Sequence, residues 1–484
     1  MPADENAGVT RPAAASPTLP EAEMERLHSA ARLWSGTGSR YRGRGDDAAY
    51  RMIVAVTTTP AAGSCPQCAE PTVAIGVPHR WCPACEWNLD RDTPAVVGWK
   101  WVDQWLHGVA RRLTEGQFAA LVDGPLTRRS MSWARAVTLG AAVLLLAGVL
   151  AIAVFGVWLI LSGQGLIVAG LGLLVLGVAF VLRPRLGRLA THLKDAREVD
   201  RASAPELFGL VDRVAAEVGA PLPHVLLIGY EFNAYTSVVG LRRRRILYLG
   251  VPLWATLAPP ERVALIGHEL GHFVNGDVRR GLLTAVAENT LGRLAVLFAP
   301  SPNGLRGLTG FVSYAVSSVI FRAVQAVQVV LYWTSQRDSQ RAEYLADEMG
   351  ARAGGSAAAV RLADHLLLRT PLDLVLQRES RAGNGMPAWR AASAATRDSH
   401  AAYLPPLRRL SRHAGVSLFA SHPPGGLRAE MIERRPQYAA TVTLDEEAAT
   451  RIDAEFGAFP ERVRQALAGG GPASERRRPR TPTH

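Results

Sequence analysis

From Ala136 to Leu182 the chain runs for 47 residues without a charged side chain. At about 1.5 Å per helical residue this stretch reaches roughly 70 Å, enough to cross a hydrocarbon core about 30 Å thick twice. The polar break Ser162-Gly163-Gln164-Gly165 divides it, so the pattern predicts a transmembrane helical hairpin over 136–182. Beyond it the apolar runs shorten. Leu207, Leu210, Val211 and Val214 fall on one side of a helix over Ala204–Gly219. Val225–Ile228 and Arg245–Leu249 read as strands, with Tyr235–Val239 as a third. Two later apolar segments, Gly281–Ala299 and Gly307–Trp333, are interrupted by Glu288, Arg293, Arg322, Gln325 and Gln328. Their pattern suits either a core or a membrane. Upstream, Met52–Thr58 is β-like. The amphipathic stretch Trp99–Val122, with Trp99, Trp101 and Trp105 close together, suits either a membrane interface or packing on a neighbouring module.

These elements predict a mainly α fold with a small β-sheet, an α+β class. The predicted organisation is a disordered N-terminus (1–45), a cysteine module (46–95), an amphipathic linker (96–135), the hairpin (136–182), a large helical domain (183–468) and a disordered basic tail (469–484). Residues 1–45 carry no apolar core of a signal peptide.

Charge adds an orientation. Lys and Arg outnumber Asp and Glu by 54 to 42, a formal net charge of +12. Much of the surplus is clustered at Arg242–Arg245, at Arg476–Arg478 and beside the hairpin, a pattern suited to anionic lipid. Arg128, Arg129 and Arg135 precede the hairpin, Arg183, Arg185, Arg188 and Lys194 follow it, and its loop carries none. By the positive-inside rule both ends are cytoplasmic. The expectation is a multi-pass protein of the cell membrane, with the regions on either side of the hairpin in the cytoplasm.

All four cysteines lie in two C-P-x-C pairs, Cys65/Cys68 and Cys82/Cys85. Two such knuckles can close a tetrahedral four-sulfur site of the zinc-ribbon type, structural and saturated. Disulfides or an iron site are the alternatives. The module lacks a dense basic and aromatic face, so no nucleic-acid partner is expected. Protein recognition or a packing role is.

The sharpest signal is His268-Glu269-Leu270-Gly271-His272. One helical turn separates the two histidines, so both imidazoles can reach one zinc ion, and Glu269 can act as general base toward a water molecule. A catalytic zinc needs a third protein ligand and an open position. Downstream, Glu343 and Asp347 are also one turn apart. Glu343 is the candidate ligand, and Asp347 the acceptor for the second N–H of a ligand histidine.

His268 to Asp277, followed by Glu343-Tyr344-Leu345-Ala346-Asp347, resembles the M48 family of membrane zinc metallopeptidases, in its HtpX-like form. Asn233-Ala234-Tyr235 resembles the segment that precedes the zinc helix in that family. Ser421-His422-Pro423-Pro424 with Arg428 resembles its C-terminal block. The resemblance covers about 200–435 and implies a gluzincin-type fold and a zinc-dependent endopeptidase acting on membrane proteins. It implies that His422 and Arg428 lie near the zinc and stabilise an oxyanion, and that Asn275 and Asp277 brace the end of the zinc helix. A substrate strand is expected along Asn233–Val239 or Arg245–Leu249. The cysteine module and the charges in the later apolar segments depart from the family pattern. Two zinc ions are therefore expected, one catalytic and one structural, with peptide substrates and membrane lipids as partners. A non-catalytic scaffold and a narrow prenyl-protein (CAAX-type) processing protease are the alternative readings. The oligomeric state is not set by the sequence.

Overall fold

The computed structural model describes residues 63–75, 77, 79–89, 100–126, 133–183, 189–240, 242–276, 290–300, 307–416 and 422–469. The predicted terminal segments, Met52–Thr58, Trp99, Glu288 and Asp277 lie outside them.

Helix α1, Lys100–Val122, is the predicted amphipathic stretch. Its C-terminal half belongs to the large domain. Phe118, Leu121 and Val122 are buried with Tyr344, Leu427 and Met431, and Gln340 donates to Thr114 Oγ1 at 2.6 Å. Trp101 and Trp105 near its start remain 72% and 60% exposed.

The charge-free run forms α2, Trp133–Leu161, and α3, Leu166–Leu182. They cross where Gly156 and Gly172 let the backbones approach. A Cβ on Gly172 would lie 2.8 Å from the Gly156 carbonyl oxygen, the small-residue contact that packs helices where no hydrophobic effect drives association. Among the described residues two helices are long and apolar enough to cross a membrane, Leu139–Leu161 and Thr309–Gln328. At 17 residues, α3 is a shorter apolar helix. Arg293, one of the charges interrupting the later apolar pattern, donates to the carbonyls of Val181 and Arg183 at 2.9 and 2.8 Å. It thus satisfies acceptors left open at the end of α3.

The sheet has the order β1-β2-β4-β3, from β1 (Ala196–Val199), β2 (Val225–Gly229), β3 (Ala234–Val239) and β4 (Arg244–Gly250). β2 and β4 pair in parallel, and the outer pairings are antiparallel. The two inner strands are the continuously apolar ones, as burial on both faces requires. β1, with Arg197 and Glu198 among its four residues, has no readable alternation. The topology corrects one expectation: β4 has both edges paired, so Arg245–Leu249 cannot accept a substrate strand. Only β3 can, of the two segments considered.

Helix α4, Pro205–Val218, buries Leu207, Leu210, Val211 and Val214 as its spacing predicts, and ends at Gly219 with φ 66°. Helix α5, Pro259–Asn275, opens on two prolines, and the Glu261 carboxylate accepts the Ala258 N–H at 3.0 Å. It closes at Gly276, φ 71°.

Helix α6, Gly307–Gly354, is 48 residues long, about 72 Å. It joins the apolar segment 307–333 and the Glu343/Asp347 segment in one rod. Its final third lies against α5 along four glycines. A Cβ on Gly271 would meet Ala346 Cα at 2.9 Å, and one on Gly354 would meet the Ala264 N at 2.6 Å. Gly267 and Gly350 make equally close approaches from the two sides. This contact brings the Glu343/Asp347 pair to the two histidines.

Candidate active site and cysteine cluster

Ligand-capable atoms of His268, His272 and Glu343 lie within 4.8 Å of one another. His268 Nε2 is 3.6 Å from Glu343 Oε2, and His272 Nε2 is 3.7 Å from Glu343 Oε1. Zinc–ligand bonds of about 2.05 Å at tetrahedral angles require edges of about 3.4 Å. Two imidazoles and one carboxylate at this spacing fit a zinc ion with one coordination position left over.

The surroundings fix the donors. His268 Nδ1 is 2.9 Å from Asp347 Oδ1, so its N–H is taken and Nε2 is the free donor. Asp347 is gripped in turn by Arg428, whose Nε and Nη2 reach Oδ2 at 2.9 Å and Oδ1 at 2.5 Å. Burial works against ionising Asp347, yet Arg428 and then His268 hold its carboxyl down to about 2. Glu343 is likewise buried, and burial alone would raise its pKa. His422, His272 and His268 together keep it well below the carboxylate range. Asn275, at the end of α5, donates to the Ala342 carbonyl at 3.3 Å and ties the zinc helix to α6.

His422 meets Glu343 Oε2 through Nδ1 at 2.6 Å with its side chain 46% exposed, at the rim of the site. Arg428 is different. It is 7% exposed and lies on the Nδ1 side of His268, opposite the ligating Nε2. The oxyanion role expected for Arg428 does not fit this arrangement, because its guanidinium is committed to Asp347. Its contacts are those of a group that would position His268 through Asp347. Glu269 is 6% exposed, and its carboxylate has no ion pair or hydrogen bond among the described residues.

Of the substrate-strand residues, Asn233 accepts the Gly250 N–H at 2.8 Å through its backbone carbonyl. Ala234 begins the edge strand. Tyr235 faces away from the zinc helix, stacks on Tyr248 at 4.5 Å and bonds through its hydroxyl to His192 Nδ1 at 2.9 Å. The residue missed from the sequence is Thr236, whose hydroxyl donates to the Glu269 carbonyl at 3.2 Å. Strand alternation from Tyr235 was its only signal.

The four cysteine sulfurs form a second cluster, with all atoms within 4.8 Å and no disulfide. Cys65 and Cys85 are 3.5 Å apart, Cys68 and Cys82 3.4 Å. Tetrahedral bonds of about 2.3 Å would set edges of about 3.8 Å, so the cluster fits zinc after slight expansion. The Gln67 N–H points at Cys65 Sγ at 3.4 Å. Desolvation raises this thiol, but the Gln67 and Cys68 N–H groups, together with the neighbouring Cys85 and Cys68 thiols, bring it down to about 7. The module is not separate from the domain. Ile75, Trp81 and Leu89 join the main apolar core. Arg409 donates to the carbonyls of Pro83 and, at 3.0 Å, Ala84 inside the second knuckle.

Comparison with known proteins follows the same residues. A family model described as peptidase family M48 matches 201–436. The chain is similar to a protein named Protease HtpX homolog from Thermococcus kodakarensis, 27% identical over 252 residues, covering 51% of this chain and 79% of that protein. Its similarity to the protein of the same name from Thermococcus sibiricus is 25% over 251 residues, 49% and 76% of the two chains. No solved structure matches.

Proposed function

Because the chain belongs to peptidase family M48 through residues 201–436, and is therefore a metalloprotease, we propose that it is a membrane-anchored zinc endopeptidase that cuts membrane or membrane-associated proteins on the cytoplasmic side. The observation that carries this reading is the convergence of His268, His272 and Glu343 from two helices onto one cluster of metal-capable donors.

Zinc held by these three residues would supply Lewis acidity, polarising water and the scissile carbonyl. The protein supplies the rest. Asp347 and Arg428 hold His268 in the tautomer that leaves Nε2 free. Glu269 takes the proton from the attacking water and delivers it to the departing amine. His422 at the rim is the group placed to donate a hydrogen bond to developing negative charge. An extended substrate segment adds alongside β3, whose outer edge is unpaired among the described residues. Thr236 fixes that strand to the carbonyl of the catalytic base.

Anchoring rests on the α2–α3 hairpin and on the first half of α6, whose apolar window Thr309–Gln328 is exposed or half-buried apart from Val324 and Gln328. From Gln328 to Glu343 is 15 residues along one helix, about 22 Å, so the active site would stand close to the bilayer and meet segments just outside it. The cysteine cluster is proposed to hold a structural zinc. Comparing membrane proteomes of cells carrying the wild type or Glu269→Gln tests the substrate class. Uncut membrane proteins should accumulate with the variant. Accumulation of soluble proteins alone would contradict the membrane part of the reading.

A further inference from the structure

The turn between β3 and β4 carries a charge run that the catalytic reading leaves unused. Arg242, Arg243 and Arg244 are exposed and make no ion pair among the described residues. Arg245 is half-buried and spoken for, its Nε donating to the Leu222 carbonyl at 2.8 Å. Arg243 sits at φ 50°, a left-handed conformation that Gly or Asn would adopt with less strain. The turn geometry therefore does not explain an arginine there. Nearby His224 has its pKa lowered, by burial and then by Arg245 and Arg244, which marks the local field as positive.

The place of this turn in the sheet matters. It closes the open edge strand: Val239 pairs with Arg244, and Val238 with Arg245. Thr236, at the Glu269 carbonyl, lies four positions before Gly240, about 13 Å at roughly 3.3 Å per residue. A chain laid along β3 past the catalytic helix therefore runs directly into three uncompensated guanidinium groups. We infer that Arg242, Arg243 and Arg244 form a specificity site for acidic residues in the substrate, about four to seven positions to one side of the scissile bond. This rests on the reading of β3 as the substrate strand. The arginines recognise carboxylates by charge and by hydrogen bonding, and acidic segments are thereby drawn onto the strand.

The test uses the full-length zinc-loaded protein in detergent and three fluorogenic peptides. One is neutral, and the other two carry three glutamates on the N-terminal or the C-terminal side of the cut. One acidic peptide should exceed the neutral one in kcat/KM by about tenfold at low salt, since exposed ion pairs are individually weak, and the ratio should shrink as salt rises. The variant Arg242→Glu/Arg243→Glu/Arg244→Glu should reverse the ratio and favour a lysine-bearing peptide. A ratio near one for both acidic peptides in the wild type overturns the inference, as does an unchanged ratio in the variant. An unchanged ratio with lost binding to phosphatidylserine vesicles would assign the turn to the lipid surface instead. If the wild type cleaves none of the three peptides, it is the peptidase reading that fails, and this inference with it.

Discussion

At the site, Glu343 and Asp347 look interchangeable in sequence, two acids one turn apart, but their partners differ. Glu343 faces both histidine Nε2 atoms, whereas Asp347 sits on the far edge of His268. Glu343→Ala should abolish peptide hydrolysis at every ordinary zinc level. Asp347→Ala should weaken zinc affinity by about ten- to a hundredfold and recover partly in excess zinc, as loss of an orienting partner does. A zinc titration of hydrolysis on both variants separates them, and identical curves would contradict the assignment. A second residue reports on stability. His365 is fully buried, and its Nε2 lies 2.9 Å from Thr256 Oγ1, whose hydroxyl donates to the Leu253 carbonyl, while Nδ1 has no partner among the described residues. Burial and then Arg397 lower its pKa to about 3, from 6.5. The folded form therefore takes up fewer protons than the unfolded chain below pH 6.5, and stability falls as pH drops from 6.5 toward 3. Asp347, lowered to about 2, adds its own loss only below about 4. Between pH 6.5 and 4, melting of the metal-free protein should fall more steeply for the wild type than for His365→Gln; parallel slopes would show that this histidine does not titrate between the two states.

Among the elements, the zinc helix was the most legible, because its prolines, its first-turn acid and its closing glycine all mark the ends of one segment. The continuity of α6 was not legible. Its apolar half and its ligand-bearing half follow different patterns, and no proline or glycine cap announces that one helix joins them. The contact that matters between α5 and α6 is made by glycines, which carry no hydrophobic period. The role of α1 was half visible: its amphipathic face was clear, but the surface it covers, Tyr344, Leu427 and Met431, is assembled from distant sequence. The same is true of the cysteine module. Its four sulfurs follow from spacing, while its docking uses a share of the main core and Arg409, an arginine that nothing in its sequence neighbourhood distinguishes. Since Trp81 is fully buried in the shared core, Cys65→Ser/Cys82→Ser should lose one of two zinc ions per chain and also lower the melting temperature of the catalytic domain. Arg409→Ala should keep both ions and give a smaller drop. Metal analysis with a thermal melt checks this, and an unchanged melt in the cysteine variant would make the module an independent one.

For the whole molecule, the sequence pointed to a helical, sheet-poor protein with a metal centre and apolar spans, because each leaves a local pattern: spacing on a helix, absence of charge, paired cysteines. It left the edge strand open between Asn233–Val239 and Arg245–Leu249, and only the pairing order separates them. Which strand is outermost is a property of the pairing order, and β1, which sets one edge, is only four residues long. In the proposed topology, with arginine-rich flanks kept inside, Ser162 lies outside and Ser203 inside. A cysteine introduced at Ser162 should react with a membrane-impermeant thiol reagent on intact cells, and one at Ser203 should not; labelling at 203 would put the catalytic domain on the other side. The central claim, a zinc peptidase whose base is Glu269, is tested most directly by measuring zinc content and peptide hydrolysis on purified wild type and Glu269→Gln. Equal zinc and a loss of hydrolysis of several orders of magnitude are expected, since His268, His272 and Glu343 are untouched and only the proton acceptor is gone. Full hydrolysis by a zinc-replete Glu269→Gln protein would contradict it.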